Sequence, residues 1–153
     1  MTTRPAGTAD VALIQALVRG AFLHYVPRIG QEPAPMGADY AVPVAEGRCR
    51  VVEDHGRIVG VLQCATHPGF LEVETLAVAT EAQGRGVGSK LLEYAEDRAR
   101  ELGRPEVRLC TNEAMTENLT YYARRGFTET GRGTQHGYRR VFFAKPVPAG
   151  RIG

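Results

Sequence analysis

A strand that runs into a glycine-punctuated loop and then straight into a helix constrains this chain more than any other feature. Phe70-Leu71-Glu72-Val73-Glu74-Thr75-Leu76-Ala77-Val78 alternates with a period of two, as a half-buried strand does. Gln83-Gly84-Arg85-Gly86-Val87-Gly88-Ser89-Lys90 follows, and from Val87 onward the period lengthens. Val87, Leu91, Leu92, Ala95, Ala99 and Leu102 share one helical face, with Glu93, Glu96, Asp97 and Arg100 opposite, until Gly103 and Pro105 stop the helix. The first amides of a helix lack intrahelical acceptors and carry partial positive charge, so they bind phosphate. Glycine lets such a ligand approach with no Cβ in the way. The loop therefore predicts a phosphorylated ligand, with Arg85 and Lys90 adding charge. Without a ligand, the same residues read as a tight strand-to-helix turn.

The rest of the chain supplies a frame for that joint. Residues 9–25 place Ile14, Leu17, Val18, Ala21, Phe22 and Tyr25 on one helical face, with Thr8 as N-cap and Pro27 as the stop. Arg28–Gly37 reads as a long Pro- and Gly-rich loop, and Ala38–Ala45 as a short helix weakened by Pro43. Strands follow at Cys49–Glu53 and Arg57–Ala65, joined by the turn Asp54-His55-Gly56; His67-Pro68-Gly69 turns into the strand already described. Beyond the long helix come a strand at Val107–Thr111, a helix at Glu117–Arg125 behind Thr116 as N-cap, and strands at Phe127–Arg132 and Tyr138–Lys145. A short first strand falls at Thr2–Ala6. Gly137-Tyr138-Arg139-Arg140-Val141-Phe142-Phe143 alternates as an edge strand would. There is no internal repeat and no second core, so residues 1–153 read as one α+β domain, a mainly antiparallel sheet with helices on its faces.

Charge and composition narrow the partners. Lys plus Arg number 19 against 17 Asp plus Glu, a formal charge of +2, which gives no electrostatic reason to expect nucleic acid or an anionic membrane. No apolar stretch approaches the ~20 residues a spanning helix needs. Asp10, Gln15 and Arg19 interrupt the apolar N-terminal segment, unlike a signal peptide. Cys49, Cys64 and Cys110 lie in strand runs without CxxC spacing, which reads as buried free thiols in a reducing, cytoplasmic compartment. His24, His55, His67 and His136 are scattered, so no metal site is expected.

Spacing then selects among phosphorylated ligands. GxGxxG fails because positions 89 and 91 are Ser and Leu, and the GxxxxGK[ST] pattern fails around Lys90. What remains is Gln83-x-x-Gly86-x-Gly88, followed much later by Tyr122-Ala123-Arg124-Arg125-Gly126-Phe127. In these two stretches, and in the element order from Arg48 to Lys145, the chain resembles the GNAT acetyltransferase superfamily. The resemblance implies a central sheet splayed between its fourth and fifth strands and acetyl-CoA as cosubstrate. The diphosphate would lie on Gln83, Gly84, Arg85, Gly86, Val87, Gly88, Ser89 and Lys90, and the pantetheine arm along Leu76, Ala77 and Val78. A splayed strand leaves N–H and C=O groups that a ligand can satisfy. An amide near Val78 would also meet the thioester oxygen as negative charge develops. Relatives often carry Asn where this chain has Met115, so Asn118 or Asn112 would contact the cosubstrate instead.

The resemblance further implies direct attack by a neutral primary amine, of a small molecule or peptide, on the acetyl thioester. Tyr122 is then the candidate acid for the departing thiolate, although its position also suits packing against Phe127. Glu72 and Glu74 lie two apart on one strand and so share a face; Glu74, nearer the thioester, is the preferred base and Glu72 its rival. Tyr25, Arg28 and Tyr40 border the acceptor side. Relatives often dimerise through their last strands, which makes a homodimer an expectation. Two rivals remain: an acyl-CoA-binding or sensing module without catalysis, and a nucleotide-binding domain.

Overall fold

The computed structural model describes residues 1–149. Its strands are β1 (Thr2–Pro5), β2 (Cys49–Asp54), β3 (Arg57–His67), β4 (Phe70–Val78), β5 (Glu106–Asn112), β6 (Thr128–Gln135) and β7 (Tyr138–Pro146). They form one seven-stranded sheet in the order β1-β2-β3-β4-β5-β7-β6. The pairing of β4 with β5 is parallel and covers only Leu71–Val73 against Val107–Leu109, although β4 runs on to Val78 and β5 to Asn112. This short ladder is the splay expected between the fourth and fifth strands. The chain divides into two compact units, Met1–Cys64 with Glu74–Tyr94, and Ala65–Val73 with the chain from Ala95 on.

In the first unit, α1 (Val11–Phe22) buries Ile14, Val18 and Ala21 against Val51 of β2, Val61 of β3 and Ala77 of β4. Each fully buried aliphatic side chain contributes about 1.5–3 kcal/mol. The long helix α4 (Val87–Glu101) approaches the other face of β3: a Cβ built on Gly60 would lie 2.6 Å from Val87 Cγ1 and 3.2 Å from Leu91 Cδ1. Because residues 60 and 61 point to opposite faces of a strand, the two helices cover opposite faces of the sheet here.

The N-terminal region corrects several expectations. One helix over residues 9–25 gives way to a 3-10 turn at Thr8–Asp10, then α1, a 3-10 turn at Leu23–Tyr25, and α2 (Val26–Ile29). Thr8 caps nothing. Asp10 accepts from the Gly7 amide at 2.7 Å and from both guanidinium nitrogens of Arg4 at 2.7 and 2.9 Å, and Arg4 also reaches Glu53 at 2.8 Å. Arg4 holds the Asp10 carboxyl below its ordinary pKa. Pro27 does not end a helix but lies in the first turn of α2, where no amide is needed. The loop beyond it contains a 3-10 turn at Ala34–Gly37, and α3 is confined to Ala41–Ala45, with Asp39 Oδ1 accepting from the Ala41 amide at 2.9 Å.

Joined end to end, these pieces make a helical run over Thr8–Ile29, 22 residues that include an 18-residue window of mean hydropathy 1.2, long and apolar enough by length and composition to cross a membrane. The expectation that no segment reaches that length is therefore corrected, and the inner face of this run packs Ile14, Val18 and Ala21 into the core.

In the second unit, α5 spans Thr116–Arg124, with Met115 rather than Thr116 in the N-cap position. Tyr122 and Phe127 are buried, Leu119 is half-buried and Ala123 is exposed. The stretch expected to be an edge strand is β7, which lies between β5 and β6; the sheet edge is β6, exposed along nearly its whole length. Cys49 is buried, whereas Cys64 and Cys110 are only half-buried, and all three are free thiols.

Candidate functional site

The glycine loop is built by backbone conformation. Gly84 and Gly86 have φ of +82° and +80°, a region that side chains other than glycine enter at a cost, and a Cβ on either would meet nothing within 4 Å. The space above the loop is thus open to a ligand. Val87 opens α4, and the first bond into its ladder runs from the Lys90 amide to the Gly86 carbonyl at 3.1 Å. The amides of Val87, Gly88 and Ser89 precede that bond, and they form the N-terminal end of a 15-residue helix. This donor set suits a diphosphate.

The charged side chains of the loop have other partners. Arg85 donates to Asp54 Oδ2 at 2.8 Å, Lys90 donates to the Met1 carbonyl at 3.3 Å, and Gln83 Nε2 donates to the Val78 carbonyl at 3.4 Å. Arg85 lowers the pKa of Asp54 below the ordinary carboxylate value, with the nearby His55 and the N-terminal ammonium adding to the effect.

Just before the loop, Ala77 packs into the α1 cluster, while its neighbours Leu76 and Val78 are half-buried on the other side of β4. Glu74 shares their face. Its Oε1 accepts from Arg48 and, at 3.1 Å, from Gln63 Nε2; Arg48 also binds Glu46 at 3.1 Å and the Cys64 carbonyl at 3.3 Å. Neither Arg48 nor Gln63 stands out in the sequence. Arg48 lies 26 residues from Glu74, and only the strand register brings them together.

The acceptor-side candidates divide. Arg28 lies over the Tyr25 ring at 5.3 Å, and the His24 ring meets Tyr25 at 3.9 Å. Tyr40 has no exposed surface: its hydroxyl donates to the Pro35 carbonyl at 2.7 Å, and burial pushes its pKa up to about 12. Cys49, in the same cluster, is pushed up to about 11, again by burial.

The remaining candidates belong to the second unit. Tyr122 is 7% exposed and meets Phe127 edge-on at 5.7 Å and Phe143 at 5.9 Å. The Phe127 amide donates to the Tyr122 carbonyl at 3.1 Å across Gly126, whose φ is +90°. The Tyr-x-x-x-Gly-Phe spacing is therefore a helix-ending cap as well as a way to place a phenol. Asn118 donates to the Thr111 hydroxyl at 3.1 Å, beside Met115. Asn112, its rival, accepts from the Ala114 amide at 2.9 Å. Glu72 pairs with His67 at 2.9 Å. Among the described residues no group of three or more His, Cys, Asp or Glu could hold a metal ion.

The half-zipped parallel strands, the positive-φ glycine loop and the long helix behind it define one class of protein. The chain belongs to the acetyltransferase (GNAT) family, whose model it matches over residues 16–127. Among solved structures, it is similar to the PaiA N-acetyltransferase of Thermoplasma acidophilum, determined in complex with coenzyme A, with a TM-score of 0.80 and 14% identity over 95% of this chain and 98% of that one. It is similar to a ribosomal-protein-alanine N-acetyltransferase from Brucella melitensis, with a TM-score of 0.73 and 20% identity over 95% and 99%. A nourseothricin acetyltransferase is 28% identical over 65% of each chain, with a TM-score of 0.60.

Proposed function

We propose that this chain is a single N-acetyltransferase domain that moves an acetyl group from acetyl-CoA to the primary amine of a small molecule or peptide. The observation that carries the reading is the open, positive-φ loop at Gly84 and Gly86, leading into the uncommitted amides of Val87, Gly88 and Ser89. Acetyl-CoA supplies the activated acetyl group as a thioester. The loop amides bind its diphosphate. The backbone of Leu76–Val78 pairs with its pantetheine arm, and an amide near Val78 faces the thioester oxygen. Glu74 accepts the proton of the amine, with Glu72 as the rival base, and Tyr122 donates a proton to the departing sulfur. Asn118 steadies the arm. Tyr25 and Arg28 border the acceptor, and Tyr40 acts from within by holding the Pro35 turn.

A thermal-shift comparison tests the ligand class: coenzyme A raises the melting temperature, whereas ATP and NAD do not. Release of free thiol from acetyl-CoA over a panel of polyamines, amino acids, antibiotics and N-terminal peptides then tests transfer. Stabilisation by coenzyme A without thiol release from any amine identifies a binding module instead.

A further inference from the structure

The loop's arginine suggests direct contact with phosphate, but its geometry points elsewhere. The Arg85 guanidinium sits 2.8 Å from Asp54 Oδ2, at the end of β2, and the Asp54 side chain is only 13% exposed against 48% for Arg85. His55 also lies near this carboxylate, at 3.7 Å from Oδ1 and almost fully exposed, and the N-terminal ammonium acts on it too. Asp54 is thus a poorly solvated negative charge held against the loop that must accept an anion. Left without Arg85, its negative charge would oppose an anion bound at the loop.

We propose that Arg85 serves the loop by neutralising Asp54, so that the diphosphate is held by backbone amides and not by the Arg85 side chain. The inference rests on the coenzyme A reading above. It assigns Asp54 and Arg85 jointly as positioning residues that act through charge: Arg85 cancels a carboxylate the ligand would otherwise meet. The two groups carry opposite formal charges, so removing both leaves the loop as neutral as before.

A double-mutant cycle on the full chain, read by calorimetric titration with coenzyme A, decides the matter. R85A alone exposes the carboxylate and weakens binding about tenfold. D54N alone leaves affinity at or above that of the wild type. D54N/R85A returns to within about threefold of the wild type. Melting temperatures of all four proteins separate loss of charge balance from loss of fold. S-acetylpantetheine, which lacks the diphosphate, is turned over with the same KM by all four. A double variant as weak as R85A shows that Arg85 grips phosphate directly and overturns the inference; an R85A protein with undiminished affinity overturns it as well. Wild-type protein that binds no coenzyme A overturns the underlying reading, and the inference with it, an outcome distinct from the other two.

Discussion

The glycine loop and the tyrosine helix α5 are the two stretches that tie this chain to its family, and they are built in opposite ways. In the loop, the atoms offered to a ligand belong to the backbone, while the side chains of Arg85, Lys90 and Gln83 bond elsewhere in the protein. In α5, the candidate atom is a side-chain hydroxyl, and its ring is packed among Phe127, Phe143 and Tyr121. Side-chain substitutions should therefore change the loop little unless they alter φ or charge. Loss of a single oxygen from α5 should change the chemistry without changing the packing.

The sharpest way to break this contrast is Tyr122→Phe. It keeps the edge-on ring contacts, so the melting temperature holds, while kcat falls about 100-fold with KM for acetyl-CoA unchanged. Full turnover by this variant removes Tyr122 from the chemistry and leaves it a cap residue. Next in size is Gly86→Val, which forces a β-branched residue to φ near +80°. Strain of about 2 kcal/mol should weaken coenzyme A by about 30-fold in a binding titration while sparing turnover at saturation. Unchanged affinity would show that the backbone amides are not the ligand's grip.

Comparing Glu74→Gln with Glu72→Gln gives a smaller effect, about tenfold on kcat for whichever carboxylate is the base, together with loss of the acid limb of the pH–rate profile. If neither moves that limb, no carboxylate base operates. The smallest effect separates the loop's side-chain scaffold from its backbone. Arg85 depresses the Asp54 pKa in the folded state, so the stability this pair adds is present above the ordinary value of about 3.9 and fades as pH falls through the depressed one. Melting temperatures recorded from pH 5 to pH 3 should drop more for the wild type than for Asp54→Asn.

Legibility in the sequence followed locality and contrast. The bounds of β4 emerge because its hydropathy alternates, and the start of α4 because three glycines and a change of period coincide there. The diphosphate loop is contiguous, and its chemistry is visible without a fold. By contrast, β6 has solvent on nearly every side chain, so no alternation marks it; its neighbour β7, which does alternate, reads as the edge in its place. Pro27 misled because a proline that ends one helix and a proline that opens the next are the same letter. The Glu74–Arg48–Gln63 cluster, and the union of Asp54 with Arg85 across 31 positions, depend on strand register and hairpin geometry, which no short window contains.

Gly60 has a consequence out of proportion to its size. It has no side chain to touch a substrate, yet any substituent there would collide with the stiff, branched side chain of Val87, the residue with which α4 begins. Bulk introduced in mid-strand would lever the helix outward and tilt its opening turn away from the sheet. Anion binding at that opening turn would then fail through a residue that offers no side chain of its own.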